Sequence, residues 1–121
     1  MSANLLSPLE MAKTLYSALD SKSAQNLKVL EVGPLTVLAD YFVLATAGST
    51  TQLKALLGIC EEAMKSHEIL AHHVEGHHSG SWVLLDFGCV VVHLFLAETR
   101  AFYSIEHLWN DARTLGDDEL K

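Results

Sequence analysis

The chain has 121 residues, half of them hydrophobic, with fifteen acidic against eight basic side chains and a formal net charge of −7. That length fits one domain able to build a core without staples, burying roughly two-thirds of its unfolded surface. The acidic balance, with no basic cluster, argues against affinity built on nucleic-acid phosphates and suits approach to a basic protein surface. The two cysteines, Cys60 and Cys89, lie in apolar runs and are too few for a disulfide framework, so a reducing cytosol is expected. The opening MSANLLSPLE lacks the basic and long apolar stretches of a signal peptide. No apolar run approaches the roughly 18 residues of a membrane span. These features predict a cytoplasmic protein that does not enter a membrane.

Ser7-Pro8-Leu9-Glu10 predicts a helix start, with Ser7 as cap, Pro8 where its missing N–H is harmless, and Glu10 closing a capping box. Leu9, Ala12, Leu15, Tyr16 and Leu19 follow at helical spacing as a buried stripe, broken by Asp20–Ser23. Leu27–Val32 reads as a strand stopped by Gly33-Pro34, and Tyr41–Ala47 as a second. Ser49 with Gln52 repeats the capping-box pattern, and Leu53, Leu56, Leu57, Cys60 and Met64 give the next helical stripe. Ile69–Glu75 reads as a third strand weakened by His72 and His73, and a loop follows to Ser81.

The chain then offers its clearest signal, SWVLLDFGCVVVHLFLA. Trp82–Asp86 and Cys89–Leu96 form a β-hairpin joined at Phe87-Gly88. The second run is apolar almost throughout, as in a central strand covered on both faces, and His93 is its exception. Glu98-Thr99-Arg100 predicts a turn, with a short helix near Ser104–Ala112. Residues 113–121 read as a polar, acidic tail, frayed at its end. The mixed order of elements predicts a single α/β domain, a sandwich with a mixed β-sheet flanked by helices, its core spanning about residues 9–112.

Three chemistries are weighed against blander readings. His67, His72, His73, His77 and His78 cluster in sequence, but no H-E-x-x-H or C-x-x-C companion marks a metal site, so a solvated His-rich loop is the default. Gly48-Ser49 at a strand-to-helix junction suits phosphate binding in a nucleotidyltransferase, yet no carboxylate pair follows to hold metal ions, and a plain helix cap is favoured. Cys60 and Cys89 sit in apolar surroundings that make a thiol inert, and His93 lies about 13 Å along the strand from Cys89. No catalytic residue, cofactor or metal is therefore assigned. What remains is recognition: Trp82, Tyr103 and Trp109 stand near the acids Glu75, Asp86, Glu98, Glu106 and Asp111, the composition of an interface hot spot. Trp109 is assigned mainly to the core, whereas Trp82, beside a Gly/Ser loop, keeps an exposed edge.

A combination of motifs carries a family resemblance. Asp40-Tyr41-Phe42-Val43 with Ala45–Ser49, Glu75-Gly76, Trp82–Asp86, Val90–His93 with Phe95, then Arg100, Phe102-Tyr103, Glu106 and Leu108-Trp109 run in one order. In this the chain resembles the ribosomal silencing factors, also called the Iojap family, from about Leu9 to Ala112. One departure is Gly88-Cys89, where family members often carry Gly-Asp.

The resemblance implies a nucleotidyltransferase-like fold without catalytic acids, and a non-enzyme. It implies binding to the large ribosomal subunit through ribosomal protein L fourteen, sterically blocking the small subunit and so repressing translation. Trp82, Leu84, Asp86, His93, Phe95 and Tyr103 are the positions it marks as contacts or supports of contacts. Of these, Trp82, Leu84 and Tyr103 would be apolar anchors, and Asp86 would accept from a Lys or Arg. Family members can pair as homodimers, which the sequence leaves open. The rival readings are a nucleotide-binding enzyme of nucleotidyltransferase type and a His-rich metal-binding module.

Overall fold

A computed structural model describes residues 6–76 and 80–120. Helix α1 spans Pro8–Ser21, with the Ser7–Glu10 capping box formed as the sequence predicts. Its buried residues are Met11, Ala12, Leu15 and Leu19, while Leu9 on the first turn is 38% exposed. The stripe is thus displaced from Leu9, which instead lines a groove with Pro34 and Tyr41 at the rim of the sheet.

Strands β1 (Gln25–Glu31), β2 (Tyr41–Ala47), β3 (His73–Glu75), β4 (Trp82–Asp86), β5 (Val90–Leu96) and β6 (Arg113–Thr114) build one sheet in the order β3-β4-β5-β2-β1-β6. Only β2 and β5 pair in parallel among the described strands; the other pairs are antiparallel. The mixed α/β sheet flanked by helices is the architecture predicted. Helix α2 (Thr50–Lys65) connects the β2 side of the sheet to β3, and with α1 it covers one face. That face is the main core, where Val43, Ala45, Val83, Leu85, Val92 and Leu94 meet Leu15, Leu53 and Leu56.

The period of two puts the alternate residues on the opposite face. There Leu30, Val32, Phe42, Leu44, Val91 and Phe95 form a second cluster, against which Ile105, Trp109 and Ala112 pack. β5 is buried along nearly its whole length, as its unbroken apolar run requires.

Several boundaries depart from expectation, each for a physical reason. β1 begins at Gln25 because Asn26, at φ 46°, makes a bulge that extends pairing to Thr46. The stretch 69–72 is no strand. After α2 the chain turns through Glu68 at φ 60°, and the Ile69 amide donates to the Met64 carbonyl, which draws Ile69 into the core. The Glu98-Thr99-Arg100 turn is instead helix α3 (Ala97–Tyr103), ended by Ser104 in a left-handed conformation, with α4 (Ile105–Leu108) beyond it. Residues 113–120 are also not a frayed tail. They add β6 beside β1 and a short helix α5 (Asp117–Leu120), fixed by buried Leu115 and Leu120 and by the Arg113–Glu119 pair.

Candidate functional site: an aromatic sheet face

Strand register places the sequence-marked residues together. Trp82 lies opposite Phe95, Leu84 opposite His93, and Asp86 opposite Val91, while on the other side of β5 Leu44 lies opposite His93. Trp82, Leu84, Asp86, His93 and Phe95 therefore share the face away from α1 and α2. Tyr103 is in α3, and its side chain lies outside the described residues.

The rings form a continuous ladder. Trp82 stacks on Phe95 at 5.3 Å between centroids, His93 lies nearly parallel to Phe95 at 5.9 Å, and Phe42 meets His93 edge-on at 5.0 Å. Trp109 closes the row against Phe42 at 5.1 Å. Such offset and edge-on pairs add about 0.5–1.5 kcal/mol each beyond burial. Trp109 therefore belongs largely to the second core, as its assignment anticipated, and Trp82 is only partly buried.

Within the ladder the marked residues divide by accessibility. Phe95 is 0% exposed and supports Trp82 from below; it touches nothing outside the chain. His93 is 5% exposed, and its Nδ1 accepts from Trp82 Nε1 at 3.4 Å. That assigns the imidazole proton to Nε2, which is buried without a partner among the described residues. Burial pulls the His93 pKa down to about 4, so the ring is neutral at physiological pH. Asp86 Oδ1 accepts from the Gly88 amide at 2.7 Å, bracing the hairpin turn in which Gly88 adopts φ 91°.

Beside Trp82 and Leu84 lies a hollow of about 230 Å³, bounded by Glu75 and Gly76. Gly76 has φ 78°, and a Cβ there would run into the Trp82 carbonyl oxygen. The Glu75-Gly76 motif is thereby explained: glycine lets β3 close on β4 and leaves Glu75 exposed at the rim of the hollow. Leu108 and Phe102, on α4 and α3, are largely exposed apolar residues that periodicity did not single out.

The rival sites find other uses for their residues. At the α2 N-terminus, Gln52 ties up two of the backbone amides, those of Gly48 and of Gln52 itself. Its Oε1 accepts from the Gly48 amide at 2.6 Å, its own amide donates to Ser49 Oγ, and its Nε2 reaches the Lys22 and Ser23 carbonyls. His73 pairs with Glu75. No group of three or more His, Cys, Asp or Glu among the described residues could hold a metal; His77 and His78 lie outside them. Burial raises both thiol pKa values, and Cys89 Sγ rests 3.4 Å from Met11 Sδ, away from His93.

Among the described residues no helix is long and apolar enough to cross a membrane. The family model described as ribosomal silencing factor during starvation matches residues 6–121. A ribosomal silencing factor from Halalkalibacterium halodurans is 32% identical over 110 residues, spanning 91% of this chain and 94% of that protein. The mouse protein named mitochondrial assembly of ribosomal large subunit protein 1 is 34% identical over 98 residues, 78% of this chain and 43% of its own length. A crystal structure of a Chromobacterium violaceum protein superposes with a TM-score of 0.84 at 35% identity, covering 87% of this chain and 88% of the other. With its fold and these relatives in agreement, the chain belongs to the ribosomal silencing factor, or Iojap, family.

Proposed function

We infer that this chain docks on the large ribosomal subunit through ribosomal protein L fourteen, in the cytoplasm and without catalysis, and bars the small subunit by occupying the joining surface. The observation that carries this reading is the partly exposed Trp82–Leu84 pair, propped by buried Phe95 and His93 beside a hollow with an acidic rim. A rigid aromatic anchor that has already lost its side-chain freedom binds with little ordering penalty. Glu75 and the second oxygen of Asp86 offer acceptors to Lys or Arg on the partner, and the chain's charge of −7 favours a basic ribosomal surface. The relative named for assembly of the ribosomal large subunit points to the same particle. The Gly48 amide, held by the Gln52 side chain, and the Ser49 hydroxyl, accepting as the helix cap, disfavour nucleotide chemistry.

Co-sedimentation with purified large subunits tests the site. Trp82→Ala should weaken binding by about 2 kcal/mol or more, roughly thirtyfold. Glu75→Lys, at an exposed position, should weaken it without touching the core. Folded variants that sediment like the parent would overturn the assignment. Homodimer formation through the same face would compete with docking, so dilution should then favour ribosome binding.

A further inference from the structure

The loop 33–40 between β1 and β2 leaves its large apolar side chains in solvent. Leu38 is 74% exposed, Leu35 47% and Val37 wholly, whereas Val32 and Ala39 beside its two ends are buried. None of the three exposed residues belongs to either core cluster. The backbone of the loop is fixed all the same. The Val32 and Gly33 amides donate to the Asp40 carbonyl oxygen at 2.9 and 3.0 Å, closing the loop at its base. Inside it, the Leu35 and Thr36 amides donate to the Val32 carbonyl oxygen, and the Leu38 amide donates to Thr36 Oγ1 at 3.1 Å. Apolar residues exposed singly need no explanation, but these three on one pre-shaped loop form a patch of the kind that marks a docking surface.

The patch is rimmed by acid. Asp40, itself exposed, lines the hollows on both flanks of the loop, of about 420 and 530 Å³, and Glu31 lines the first. No Lys or Arg lines either hollow among the described residues. Glu31 pairs with Arg113, but Arg113 also pairs with Glu119, so that group keeps a net negative charge. The complementary partner is a protein surface with an apolar recess and a basic rim. The same acids repel an anionic lipid surface and a second copy of this patch.

The loop also continues the surface that begins at Trp82. The second hollow is bounded by Gly88 and Cys89, at the turn that leads out of β4. β4 carries the chain from Trp82 to that turn over about 13 Å. A stable interface covers about 800 Å² per partner, a patch roughly 30 Å across, whereas one tryptophan buries at most about 250 Å². Trp82 and Leu84 therefore need further contact surface, and the loop lies within that span. We propose that the loop is a second foothold on the large ribosomal subunit: Leu35, Val37 and Leu38 enter an apolar recess of a ribosomal protein, and Asp40 meets the Lys or Arg side chains around it. This rests on the docking reading given above and adds to it a surface that the Trp82 face does not include.

The test is co-sedimentation with purified large subunits over a range of protein and salt concentrations. The double substitution Val37→Ser with Leu38→Ser changes only exposed side chains, so its thermal melt should match the parent's, while binding should weaken about tenfold. Adding Trp82→Ala should multiply the two losses, as separate footholds require. Asp40→Asn should weaken binding about threefold and make its salt dependence shallower. A parent chain that fails to sediment would overturn the docking reading and the foothold with it. A parent that sediments, weakened by Trp82→Ala but not by the loop substitutions, would overturn the foothold alone. Analytical ultracentrifugation and flotation with phosphatidylcholine vesicles address the other occupants. A dimer, or vesicle binding, that the loop substitutions abolish would overturn the ribosomal assignment in favour of a second copy or a membrane.

Discussion

Replacing His93 with glutamine should flatten the acid side of the stability profile. In the folded chain the imidazole is buried between Phe42 and Phe95 and titrates only at about 4, whereas the unfolded chain takes up that proton near 6.5. Acid therefore favours the unfolded state: stability is intact above 6.5 and is lost progressively as pH falls toward 4. The full difference amounts to roughly 3 kcal/mol, of which about 2 kcal/mol develops between pH 7 and pH 5. Glutamine has similar volume, can accept from Trp82 Nε1 and does not titrate. Urea unfolding of parent and His93→Gln at pH 7, 6 and 5 measures the effect, and the other histidines cancel in the comparison. The parent should lose about 2 kcal/mol more than the variant over that range. Parallel profiles would refute the neutral, buried imidazole.

Two further predictions concern the frame of the site. Gly76→Ala should cost about 1–3 kcal/mol in urea unfolding, because the new Cβ meets the Trp82 carbonyl at a backbone angle of φ 78°, and β3 must shift on β4. An unchanged midpoint would mean that this close approach is not present in solution. Arg100 foremost, with Lys28, holds the Glu106 carboxyl down at about 2, so its stabilisation is present above the ordinary value of 4.5 and fades as pH falls toward 2. Glu106→Gln should cost about 1–2 kcal/mol at pH 7, after allowing for its partial exposure, and progressively less in acid. A pH-independent difference would contradict the ion-pair network.

The hairpin and its faces were legible because strand periodicity leaves little choice. Once Trp82–Asp86 pairs with the run ending at Leu96 across Gly88, alternation puts Trp82 and Leu84 with His93 and Phe95 on one face and Val83 and Leu85 with Val92 and Leu94 on the other. Accessibility was less legible. In sequence Phe95 could be a contact or a support for one, and only the fold shows that the flanking strands and Trp82 close over it completely.

The misread segments are those fixed by distant partners. Glu98-Thr99-Arg100 has no apolar periodicity, and α3 is tied to the sheet by Arg100 reaching Asn26 and Thr46. The two residues of β6 become a strand only beside Leu30 and Glu31, and the acidic end is ordered by Arg113 bridging Glu31 and Glu119. The left-handed backbone of Asn26 and Ser104, which sets the bulge and the α3–α4 break, carries no glycine to announce it.

The most direct test of the proposed function is subunit joining, followed by light scattering after purified large and small subunits are mixed. If the chain occupies the joining surface, preincubation with the large subunit suppresses the rise in scattering, and Trp82→Ala at the same concentration restores it. Normal joining by large subunits that carry the bound protein would contradict the steric account, even though binding itself would stand.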